Sequence, residues 1–139
     1  MAGGIIKRGT MTEILIILIA LKQAIKQYHW QATSYQDHIL ADKLEEGLED
    51  YIDEVAELSV LITGNKEQLA ANVLLAKASL FIKDDSKISL KELLEILGTL
   101  QEKLGDYAQR TKDIGLSDLC GRLTNSILRK AYLIQLQGL

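Results

Sequence analysis

The chain has 139 residues, 47% apolar and 25% charged, with no proline and a formal net charge of −3. That length suits one domain, one that needs no disulfide or metal merely to fold, and the single cysteine, Cys120, excludes an intrachain disulfide and fits a reducing compartment. The charge balance excludes the strongly basic footprint of a nucleic-acid binder, and the lack of proline favours long uninterrupted helices.

The acidity is local. Residues 37–57 hold nine carboxylates and one lysine, Lys43, a balance of −8, so the rest of the chain, with 15 basic and 10 acidic residues, carries +5. Both histidines, His29 and His38, and the one tryptophan, Trp30, stand at or near the head of that acidic stretch.

Residues 1–9 are glycine-containing and read as a flexible N-terminal segment, leaving 10–139 as one domain. Thr10 or Thr12 can cap a first helix running to about Ala32, with Glu13 favourable near its N-terminus. Its apolar run, Ile14–Leu21, is only eight residues long and adjoins Glu13. The run is far short of the ~20 residues of a membrane span, and no small-x-small cleavage site follows it. A cytoplasmic protein without a membrane segment is expected. The run covers the helix all round, which predicts burial on more than one side, the second most easily against another subunit.

"QATSY" is a polar break. A second helix is predicted from Tyr35 or Gln36 to Thr63, ended by Gly64-Asn65. Its core face is Leu40, Leu44, Leu48, Tyr51, Val55, Leu58 and Ile62, stepping by three and four. A shorter helix follows over about Glu67–Phe81. Ser89 and Glu92 form a capping box for a third long helix over about 90–112, ended by Gly115. A last helix is expected over about 117–136, with Cys120 in its core. Short loops join the first pair and the last pair of long helices, and the middle connection is long and holds its own small helix. That pattern predicts an all-α, ferritin-like four-helix bundle with one long crossover.

On a wheel of the second helix at roughly 100° per residue, His38 at 0° is joined by Asp42 at about 40°, Asp53 at about 60° and Glu57 at about 100°, away from the core residues. His38/Asp42 and Asp53/Glu57 are i,i+4 pairs, each able to converge on one ion. The pairs stand about 16 Å apart along the axis, too far to share an ion within one chain. An antiparallel copy across a two-fold axis brings each pair opposite the other and makes two identical sites. Mixed histidine and carboxylate ligands suit iron, manganese or zinc better than calcium or magnesium. The plainer reading is a solvated acidic face with two incidental histidines. Glu46, Glu49 and Asp50 lie near the same face.

"YHW" at the end of the first helix, followed by H-x3-D-x10-D-x3-E spelled by His38, Asp42, Asp53 and Glu57, resembles the Dps family of mini-ferritins. The helix layout extends the resemblance over nearly the whole chain. It implies a metal site at a two-fold interface, with His29, His38 and Asp42 from one chain and Asp53 and Glu57 from its partner. It further implies a hollow twelve-subunit shell that oxidises ferrous iron, preferably with peroxide, and stores ferric mineral, with zinc or manganese as substitute metals. Trp30 would sit beside the site and absorb oxidising equivalents, Glu46, Glu49 and Asp50 would nucleate mineral, and Asp118 would line a pore for ions. The segment between His29 and His38 is a few residues shorter than in typical members, so the reach of His29 is the geometric question the sequence leaves open. The DNA-binding arm of some members is reduced to Lys7 and Arg8, which neutralise too few phosphates for robust binding. The alternative reading is a bundle kept as a structural or interaction protein with weak or no ferroxidase activity.

Overall fold

The computed structural model describes residues 10–83 and 86–138. The N-terminal segment and its Lys7 and Arg8 lie outside these residues. The described residues are all-α, with six α-helices and no strand. The helices are α1 (Met11–Trp30), α2 (Tyr35–Glu45), α3 (Leu48–Thr63), α4 (Ala71–Ala78), α5 (Leu90–Arg110) and α6 (Ile114–Gln135). Short 3-10 turns, Glu67–Leu69 and Ser79–Phe81, flank α4. No helix among them is long and apolar enough to cross a membrane.

Helix α1 is the axis of the fold. Thr10 caps it, its side chain accepting from the Glu13 N–H at 3.0 Å. It packs against α2, α3, α4 and α5, while α5 also packs along α6. Ile14, Leu15, Ile17, Leu18, Leu21 and Ile25 are all essentially inaccessible. Each such side chain contributes about 1.5–3 kcal/mol of burial free energy, which outweighs the modest helix propensity of isoleucine.

The all-round apolar character of α1 has an internal cause, which corrects the expectation of a neighbouring subunit there. Ile16 and Ala20, on the side away from the main core, pack with Ala78 of α4 and the partly buried Leu74, Phe81 and Ile82. The crossover folds back and covers the second side itself.

The second helix is not continuous. Glu46 leaves helical geometry at φ −53°, ψ 126°, and Gly47 takes a left-handed φ of 79° before α3 begins. Glycine reaches that conformation at no steric cost, and it is a poor residue for a helix interior. Lys130 of α6 donates from Nζ to the Glu46 carbonyl at 2.7 Å, satisfying a group freed by the break. Leu40, Leu44, Leu48 and Val55 stay buried through it, Tyr51 and Leu58 are half-buried, and Ile62 is exposed. Helix α3 ends as expected, with Gly64 left-handed and its N–H on the Val60 carbonyl.

The capping box of α5 forms as predicted. Ser89 Oγ accepts from the Glu92 N–H at 3.1 Å, and Glu92 Oε1 accepts from the Ser89 N–H at 3.3 Å. Gly115 does not end this helix. It lies in the first turn of α6, which starts at Ile114 because Asp113 caps it, accepting from the Leu116 N–H at 3.0 Å. Cys120 is buried, and burial pushes its thiol pKa up.

Candidate metal centre

The corner between α1 and α2 is closed by short-range bonds. Ser34 caps α2, its Oγ accepting from the Asp37 N–H at 3.1 Å. Burial, then a hydrogen bond to Asp37, then that carboxylate's charge push the Tyr28 phenol up to about 12. Gln31 ties the corner to the start of α5: its Nε2 donates to the Ser86 carbonyl at 2.7 Å and its Oε1 accepts from the Ile88 N–H at 3.4 Å.

This compact turn brings the last turn of α1 over the first turns of α2. The rings of His29 and His38 meet edge to face with centroids 4.2 Å apart. His29, His38 and Asp42 each offer a ligand atom within 4.8 Å of the others. The short 31–34 loop therefore does not keep His29 from the site. His38 and Asp42 are exposed and His29 is half-buried, so the cluster is open on one side. Among the described residues it is the one group of three or more histidine, cysteine or acidic side chains with that spacing.

Glu45, which sequence reasoning did not single out, belongs to this corner. Its Oε1 lies 3.2 Å from His29 Nδ1 and its Oε2 lies 3.0 Å from Lys26 Nζ. Asp42 Oδ1 stands 3.6 Å from the same ring nitrogen. Burial raises the Glu45 pKa, but hydrogen bonds and charge from Lys26 and His29 outweigh it and hold the carboxyl below its ordinary range. An ionised carboxylate only accepts, so His29 presents Nδ1–H to it. The signal was present in the sequence. Seven residues after His38, at about 340° on the wheel, Glu45 is nearer in angle to His38 than Asp53 is.

Asp53 and Glu57 are not part of the cluster. Both are exposed on α3, beyond the Gly47 break, so one continuous helix face does not carry all four predicted ligands. Trp30 is 69% exposed beside His29, and Tyr35 at the head of α2 is 81% exposed. Two of the acids expected to nucleate mineral have cationic neighbours: Glu46 meets Lys43 at 3.4 Å and Glu49 pairs with Lys22. Asp118 is bonded to Arg122 one turn away at 2.9 Å, as a residue near a helix start commonly is, and Arg122 also engages Glu54 of α3.

Two imidazoles and a carboxylate are side chains that could hold a divalent ion. Compared with known protein families and with characterised proteins, the chain matches none.

Proposed function

We propose that this chain is a ferritin-like protein of the Dps type that oxidises ferrous iron at sites shared between two subunits and stores the ferric product in a hollow shell. The observation that carries this reading is the convergence of His29, His38 and Asp42 within 4.8 Å on an open corner. The two-fold interface implied by the resemblance would supply the remaining ligands, Asp53 and Glu57 of a second copy. Both side chains are exposed and one helical turn apart, as such a role requires.

Iron enters as substrate. His29, His38 and Asp42 bind the ferrous ion, and added carboxylates favour the harder ferric product. With peroxide as oxidant, two ferrous ions give one electron each. The O–O bond breaks, two protons are taken up, and two waters leave. Trp30, exposed at the same corner, is placed to give up an electron when only one ferrous ion is present. Removing ferrous iron and peroxide together limits hydroxyl-radical formation in a cytoplasmic setting. Manganese and zinc fit the same donors and would compete with iron.

Stopped-flow oxidation of ferrous iron, with native mass measured on the same sample, tests the proposal. The expected outcome is peroxide-driven oxidation above buffer, lost in His38→Ala and in Asp53→Ala/Glu57→Ala, from an assembly of about twelve subunits as the resemblance implies. A monomer with no rate above buffer sinks it.

A second reading has its own observation. His29 is already held by Glu45 and Asp42, so the corner can serve as an ionic clasp of a bundle kept for structure or interaction. In that case His38→Ala changes neither metal content nor oxidation rate.

A further inference from the structure

The cationic cleft beside the Glu46–Gly47 break contains none of the His29, His38 and Asp42 cluster. It has a volume of about 530 Å³ and lies between the break and α6. Four cations line it, Lys43, Arg122, Arg129 and Lys130, against one acid, Glu46. Arg122 is neutralised elsewhere, by Glu54 and Asp118 at 2.9 Å each. Lys43 and Glu46 meet at 3.4 Å and offset one another. Arg129 and Lys130 are left with no carboxylate in ion-pair contact among the described residues, although the Glu46 charge also reaches Lys130.

Those two are unlike ordinary surface cations. Lys130 is only 4% exposed, and among the described residues its Nζ has one acceptor, the neutral Glu46 carbonyl at 2.7 Å. A buried ammonium normally requires a counter-charge and acceptors for all three N–H groups. Arg129, one residue earlier on α6, is exposed and has no hydrogen bond or ion pair among the described residues. Asn125 and Ser126 add an amide and a hydroxyl from the preceding turn of the same helix. The N-terminus of α3, which has no side-chain cap, borders the cleft at Gly47 and adds its partial positive charge.

We propose that this cleft is an anion site for a phosphate-class dianion, held by Arg129 and Lys130 with Ser126 and Asn125 as neutral donors. Planar guanidinium and compact ammonium are the groups that suit phosphoryl oxygens, and burial strengthens the Lys130 contact. The cleft is roomier than inorganic phosphate needs, so a phosphomonoester carrying an organic group fits the same chemistry. The inference is independent of iron, because none of these four side chains belongs to the His29 corner.

Calorimetric titration of the full chain, freed of metal by chelation and kept at low ionic strength, tests it with inorganic phosphate and with adenosine monophosphate as probes. Matched sodium chloride is the control. Saturable binding of one phosphate per chain is expected, weakened about tenfold in Arg129→Gln and partly retained in Arg129→Lys. Lys130→Met should abolish binding. Because that variant also alters the core, the decisive comparison is the one at exposed Arg129. Tighter binding of the monophosphate than of phosphate assigns a phosphomonoester, and equal binding assigns the phosphoryl group alone. No saturable uptake of either probe, or uptake unchanged in Arg129→Gln, overturns the proposal.

Discussion

Glu45 accepts from His29 Nδ1 at 3.2 Å while its second oxygen meets Lys26 Nζ at 3.0 Å, so one carboxylate on α2 fixes the ring that α1 contributes to the cluster. Outer partners of this kind orient metal-ligating histidines, and their loss typically costs about 10–100-fold in metal affinity. Glu45→Ala is therefore expected to weaken zinc or cobalt binding by about that factor while leaving helix content unchanged. Competition with a chromophoric chelator measures it. The folded pKa of Glu45 is depressed, so its contribution to stability is present above the ordinary carboxyl range. That contribution is lost as pH falls through the depressed value.

Tyr28 behaves in the opposite sense. Its folded pKa is raised to about 12 by burial and Asp37, whereas the unfolded phenol titrates near its ordinary 10.0. The stabilisation it gives is complete below the ordinary value and is lost as pH rises through the folded one. Tyr28→Phe is expected to cost about 1 kcal/mol at neutral pH through the lost hydrogen bond. It should also flatten the fall in urea midpoint on the alkaline side.

Lys130 reports on the break between α2 and α3. Burial pushes its pKa below the ordinary 10.5, although the Glu46 charge partly offsets this. Between the lowered value and 10.5 the unfolded chain binds more protons, so stability rises with pH across that window. Lys130→Met should remove the rise. It should also cost about 1–3 kcal/mol at neutral pH by leaving the Glu46 carbonyl without its donor. Chemical denaturation at several pH values separates the two effects.

Gly47 is required by its backbone. A Cβ there would meet only Tyr51 Cε2, at 4.0 Å, an ordinary contact. The φ of 79° is the obstacle, and Gly47→Ala should cost about 1–2 kcal/mol. Thermal unfolding reads this directly. A larger loss would show that the α2–α3 geometry itself had shifted.

Much of this fold was legible because its ends are written in short-range chemistry. Thr10 before Glu13, Ser89 before Glu92 and Gly64-Asn65 after α3 each satisfy orphan backbone groups with near neighbours, so spacing alone locates them. Gly115 misled because Asp113, two residues earlier, competes as a helix cap and wins. The Gly47 break was hidden because the apolar steps run on from Leu44 to Leu48, and the donor that stabilises it, Lys130, lies 84 positions away. The closeness of His29 and His38 depends on the pitch of one loop, set by Ser34, Gln31 and the Tyr28–Asp37 bond. The role of α4 against Ile16 and Ala20 was unreadable because all-round apolarity demands a cover without saying which element supplies it.

That last arrangement also bears on how the chain is made. The covers of α1 come from α2 onward and are complete only with α5, which ends at Arg110. A ribosome releases the Ile14–Leu21 run early and must extend the chain by most of a domain before its wrapping is available. Through that interval the nascent chain carries a naked, strongly cohesive segment, the kind that draws holding chaperones or aggregates when synthesis stalls. Truncations ending before α5 should thus be insoluble, although the segment they expose is the best-buried part of the finished protein.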